Sequence, residues 1–268
     1  MVANMHASPL MTRPAGWLDQ MQSAGAWILP DAVFDGDTLR SGCAVFLKDG
    51  RAQIAPAADL PQVGQGGEIW RTSGIVSPGF FDLQVNGGGG VLFNSDPTEA
   101  GLRSIAQAHR STGTAGFLPT VITDRADVME AAAAAVINTL GQDGIAGIHI
   151  EGPHISLARR GTHAAEYIRP LDARTLATLA KLRGCDVPVM ITLAPEAVTP
   201  GQIRALVGQG VIVALGHSDA TASQTRAALS EGAQTFTHLF NAMSPMQNRE
   251  AGRYRCRHKF HGLLLDDL

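Results

Sequence analysis

The chain has 268 residues, a formal net charge of −3, 45% hydrophobic residues and 17% charged residues. That composition excludes disorder, which needs low hydrophobicity with high net charge, and it supports a sizeable core. The weak charge gives no electrostatic reason to expect nucleic acid or an anionic membrane as partner, and no run reaches the ~18 apolar residues of a spanning helix. The three cysteines, Cys43, Cys185 and Cys256, are odd in number and widely scattered, which argues for a reducing compartment rather than a disulfide framework. Arg13 is followed by no continuous apolar stretch, so a secretory signal is not expected. The chain reads as a cytoplasmic globular α/β protein.

Residues 1–24 lack periodicity and read as a loose lead-in. From Ala26 to about Arg71, short apolar runs are broken by Asp-Gly and Pro, as in AVFDGD and SGCAVFLKDG. This punctuation predicts a small β domain, sandwich-like, within 1–73. The remainder, 74–268, alternates apolar strands with Ala-rich helices. Strands are expected at 75–85, 116–122, 145–151, 187–193, 211–216 and 234–238. Helices are expected at 98–111, 125–139, 173–183, 200–209 and 220–231, with starts signalled by Asp96-Pro97-Thr98, Thr199-Pro200 and Ser218-Asp219. Repeated strand–helix units imply a parallel sheet with right-handed crossovers, either a (β/α) barrel or a doubly wound sheet. Near the C-terminus the segment 253–259, RYRCRHK, breaks the texture: four of its seven residues are Arg or Lys. It reads as a solvated basic loop or as a local disruption of the sequence.

Three strand ends carry residues that bind metals. In GIHIEGPHI, alternation puts His149 and Glu151 on one face, and Gly152-Pro153 leaves Glu151 at the strand tip. His217 follows the strand VIVALG, and His238 ends QTFTH. Parallel α/β folds gather ligands at the C-terminal ends of their strands. One carboxylate with two imidazoles can hold a catalytic zinc with a position left open. A single such His is more often a hydrogen-bonded core or capping residue; three candidates at matching strand ends reverse that weighting.

The segments PGFFDLQVNGGGG (78–90), HIEGPHIS (149–156), RRGTHAAEYIRP (159–170), LGHSDAT (215–221) and THLFNAMSPM (237–246) resemble the motifs of N-acetylglucosamine-6-phosphate deacetylases, members of the amidohydrolase superfamily. The resemblance runs from about residue 26 to 250. It implies an α/β fold with a TIM-like (β/α) barrel of the amidohydrolase type, incomplete at its C-terminal end, beside a small N-terminal β domain. The implied metal ligands are Glu151, His217 and His238. His163 contacts the acetamide, Asn241 and Ala242 hold the sugar phosphate, and Arg249 pairs with it through its planar fork.

The resemblance further implies one divalent ion, with zinc expected. Gln84 and Asn86 stand where two-metal relatives carry His-x-His, and amides are poor zinc ligands. The glycines 87–90 suit a tight turn near the site better than a phosphate loop. The implied reaction is metal-assisted hydrolysis of an N-acetylated amino-sugar phosphate, with His163 at the oxyanion and an acid protonating the leaving amine. That acid, an Asp at the tip of the eighth strand, has no counterpart: GLLLDDL (262–268) matches the start of the seventh, so Asp266 and Asp267 are no substitutes. The expectation is a truncated member with little or no turnover as it stands, and a homodimer when complete. Two alternatives are an inactive remnant that binds metal or sugar phosphate, and a hydrolase of cyclic amides, against which the FNAM segment and the Gln84/Asn86 pair argue.

Overall fold

The computed structural model describes residues 25–60 and 68–245, which fall into two compact units. The basic segment 253–259, the segment 262–268 and Arg249 lie outside the described residues.

One unit comprises residues up to Phe81 together with Arg110–Ala115. It opens with β1 (Ala26–Leu29), β2 (Ala32–Phe34), β3 (Leu39–Ser41), β4 (Cys43–Lys48), β5 (Arg51–Pro56), β6 (Glu68–Arg71) and β7 (Ile75–Val76). A four-stranded sheet runs in the order β5-β4-β1-β6 and a three-stranded sheet in the order β3-β2-β7. β1 is antiparallel to β4 and parallel to β6. Ala26, Ile28, Val33, Val45 and Val76 form its small core. The run 75–85, expected as one strand, is two: β7 joins the small sheet, and β8 (Phe80–Val85) leads into the larger one. Ser77-Pro78-Gly79 separates them, and Pro78 has no N–H to continue a ladder.

The second unit contains Asp82–His109 and the chain from Gly116 onward. After the short hairpin β9 (Gly87–Gly88) and β10 (Val91–Leu92), the elements alternate: α1 (Glu99–Arg110), β11 (Thr114–Ile122), α2 (Ala126–Thr139), β12 (Ile148–Glu151), α3 (Ala173–Gly184), β13 (Val189–Leu193), α4 (Gln202–Gly208), β14 (Ile212–Leu215), α5 (Ala222–Ser230) and β15 (Thr235–Phe236). The sheet order is β15-β14-β13-β12-β11-β8, and β11 through β15 pair in parallel. Neighbours in sequence are thus neighbours in the sheet, the order of a (β/α) barrel arc rather than of a doubly wound sheet, whose order reverses at a switch point.

Every residue of β12 and β13 is buried, as expected where helices and the barrel interior cover both faces. Leu102, Ile105, Val136, Leu179, Leu182 and Leu206 pack from the helices onto the strands. Gly147 is required here, because a Cβ would run into the Pro188 carbonyl of the neighbouring segment.

Helix starts follow capping chemistry more closely than the sequence suggested. Thr98 Oγ1 accepts the Gly101 amide at the start of α1. Asp172 caps α3 by accepting from the Thr175 amide at 2.8 Å. The cap of α5 is Thr221, in a capping box with Gln224, and not Ser218-Asp219. Those two residues are held by Glu196 instead. α4 starts after Gly201, whose φ of 86° is left-handed.

Candidate active site

Glu151 is the last residue of β12, His217 follows β14, and His238 follows β15. The barrel order therefore delivers all three to one end of the sheet. Glu151 Oε1 lies 3.1 Å from His217 Nε2 and 2.8 Å from His238 Nε2. One ligand atom from each of the three residues falls within 4.8 Å of the others. Both histidines adopt left-handed backbone, with φ of 46° and 52°. That conformation is uncommon outside glycine and concentrates at functional sites.

Glu151 and His217 are buried, while His238 is 39% exposed at its side chain. Burial on its own would raise the Glu151 pKa. The His217 and His238 imidazoles, within hydrogen-bond distance, outweigh it and hold the carboxyl well below the ordinary range. The hydrogen bond to Glu151 raises the His238 pKa. His217 Nδ1 lies 2.9 Å from the Arg159 carbonyl. A carbonyl only accepts, so Nδ1 carries a proton and Nε2 is the nitrogen turned to Glu151.

These donors fit a divalent metal ion. They supply one anionic oxygen and two imidazole nitrogens within the reach of bonds of ~2.0–2.2 Å, with one imidazole fixed by a backbone carbonyl as metal-bound histidines commonly are.

His163 stands beside this cluster. Its Nε2 is 3.9 Å from Glu151 Oε2, and its ring is 4.4 Å from that of His217. His163 Nδ1 hydrogen-bonds Thr123 Oγ1 at 2.7 Å. Burial, with the adjacent His217 ring, lowers its pKa to about 4. Gly152, with φ 79°, leaves room for this pair: a Cβ there would overlap Thr123 Oγ1. Asn241 and Ala242 follow His238 on the same turn. The Asn241 amide donates to the His238 carbonyl at 2.7 Å, and the Ala242 carbonyl accepts from the Ser218 amide, next to His217. The structure thus brings Glu151, His163, His217 and His238 together, with Asn241 and Ala242 on the adjoining turn. Arg249 falls outside the described residues.

Two supports went unread in the sequence. Gln84, set aside there as a poor ligand, donates to Glu151 Oε2 at 2.9 Å and reaches to 3.4 Å from His238 Nε2. Its position on β8 could have flagged it. Thr123, the partner of His163, lies just past the end of β11 and had no signal of its own. His149, on the same strand as Glu151, turns instead into a buried polar layer. It is 2.7 Å from Thr192 Oγ1, which is 2.7 Å from Thr237 Oγ1.

A parallel barrel sheet carrying a carboxylate and imidazoles at the C-terminal ends of its strands is an architecture of metal-dependent hydrolases. The amidohydrolase family profile matches residues 75–266, and the chain belongs to that family. It is 48% identical over 202 residues to an N-acetylgalactosamine-6-phosphate deacetylase of Shewanella sp., a match covering 73% of this chain and 50% of the relative. It is 35% identical over 210 residues to the N-acetylglucosamine-6-phosphate deacetylase of Bos taurus, covering 72% and 51%. The crystal structure of N-acetylglucosamine-6-phosphate deacetylase from Pasteurella multocida superposes with a TM-score of 0.76 at 31% identity, covering 85% of this chain and 60% of that one. The chain spans about half the length of the curated relatives it matches. No helix among the described residues is long and apolar enough to cross a membrane.

Proposed function

We propose that this chain carries the metal-binding part of a deacetylase that hydrolyses the acetamide of N-acetylglucosamine 6-phosphate to glucosamine 6-phosphate and acetate. The observation that carries the reading is the buried Glu151 carboxylate within hydrogen-bond distance of both His217 and His238, at the strand ends of an amidohydrolase barrel. Glu151, His217 and His238 would hold one zinc ion. A divalent ion in such a site lowers the pKa of a bound water and polarises the carbonyl under attack.

The protein's own groups supply the rest. If the Thr123 hydroxyl donates to His163 Nδ1, the neutral His163 carries its proton on Nε2, the nitrogen facing Glu151. There it can donate to the oxygen on which charge develops. Gln84, donating to Glu151, fixes the carboxylate rotamer. Asn241 and Ala242 would hold the sugar phosphate through amide groups, and Arg249 would pair with the phosphate. A small-molecule substrate of this kind accords with the names of the relatives.

The galacto epimer is the second reading of the substrate, favoured by the 48% identity to an N-acetylgalactosamine-6-phosphate deacetylase. Acetate release from the two epimeric 6-phosphates, with zinc present, tests both. Release from the gluco compound supports the main reading, and release from the galacto compound alone replaces it with the second. No release from either, by a chain that binds zinc, favours the alternative of an inactive remnant that holds the metal without turnover.

A further inference from the structure

We infer that Arg169 is a positioning residue for the site, clamping the loop that presents His163 and orients His217. The inference goes beyond the proposed reaction and depends on it only through the zinc readout below.

The loop at 153–169 joins β12 to α3 and contains no secondary structure beyond the 3-10 turns Leu157–Arg159 and Ala165–Tyr167. It has no ladder to hold its shape, so its shape rests on individual hydrogen bonds. Those bonds matter to the site. The Arg159 carbonyl accepts from His217 Nδ1, and the Ser156 amide donates to the His217 carbonyl at 2.8 Å. His163 itself is part of the loop.

The neck of the loop is closed at Arg169. Its amide donates to the Pro153 carbonyl at 3.1 Å, and its carbonyl accepts from His154 Nδ1 at 3.1 Å. Its guanidinium then spans three segments. Nε donates to Asp172 Oδ2 at 2.6 Å, at the start of α3. Nη1 donates to the Tyr167 carbonyl at 2.9 Å, inside the loop, and reaches the Asp124 carbonyl at 3.5 Å. Asp124 follows Thr123, the partner of His163. One side chain therefore joins the loop, the helix behind it and the segment that orients His163. Only a planar fork with several donors can do this; a lysine ammonium at the same place carries the charge but not the separate directions.

Hydrogen exchange and zinc titration on the full chain test the clamp, comparing Arg169→Ala, Arg169→Lys and the control Arg174→Ala. Arg174, on α3, pairs with Glu130 on α2. In both Arg169 variants, peptides covering 154–168 should exchange faster while those covering β12 and β13 stay protected. Zinc affinity should fall by about 10–100-fold, the usual loss when a residue orienting a ligand is removed. Arg174→Ala should match the unsubstituted chain on both counts. Should Arg169→Ala fail to fold, Arg169→Lys, which keeps the stem and charge, carries the test. Unchanged loop exchange in a folded Arg169 variant overturns the inference. So do full rescue by lysine and exchange that quickens equally in β12 and β13. If the unsubstituted chain takes up no zinc, the metal reading fails, while loop exchange still decides the clamp.

Discussion

Glu151 shows how residue-level chemistry sets the site. A buried carboxylate is costly unless its charge is met, and here two imidazoles and the Gln84 amide meet it. His163 depends in the same way on Thr123. Thr123→Val keeps the shape but leaves His163 Nδ1 buried without its partner, a loss of about 1–3 kcal/mol. Chemical denaturation should show that loss, and the His163 ring resonances should shift. Unchanged stability together with unchanged resonances would count against the pairing. Not all of these supports were legible in the sequence. Glu151, His217 and His238 stood out because each ends an apolar run. Thr123 and the Arg159 carbonyl act through pairings between residues far apart in the chain, which leave no trace in local periodicity.

At the scale of elements, helix caps and loop turns hold the strand ends in place. Asp172 caps α3 through the Thr175 amide and pairs with Arg169. Burial pushes its pKa up, but those hydrogen bonds prevail and bring it from 3.8 to about 2. The folded value lies below the unfolded one, so this contribution is present in full above about pH 4 and is lost as pH falls through about 2. Asp172→Ala should therefore destabilise by about 0.5–2 kcal/mol near neutrality. The gap to the parent chain should close towards pH 2 in urea titrations; a pH-independent gap would exclude this origin. Gly152→Ala should cost more than an ordinary surface change, because it combines left-handed backbone with overlap on Thr123 Oγ1. Thermal unfolding at the parent temperature would contradict that. The elements show where sequence reading stops. The strand and helix alternation of the barrel was plain from apolar runs and Ala-rich stretches. The cap of α5 was not, because Ser218, Asp219 and Thr221 all have capping chemistry and only the tertiary contact with Glu196 removes the first two.

For the whole molecule, the fold matters because it delivers side chains from β12, β14 and β15 to one place. A ligand that binds only the folded state stabilises it by RT ln(1 + [L]/Kd), about 2.7 kcal/mol at a hundredfold excess over Kd. Zinc should therefore raise the thermal midpoint of the parent chain but not that of His217→Ala. The single-ion site is tested most directly by zinc stoichiometry, from titration of the parent chain and of Glu151→Gln, His217→Ala and His238→Ala. One tightly held ion per parent chain and a large loss of affinity in each variant are expected. Two tightly held ions, or parent-like binding by His217→Ala, would contradict the single-ion site.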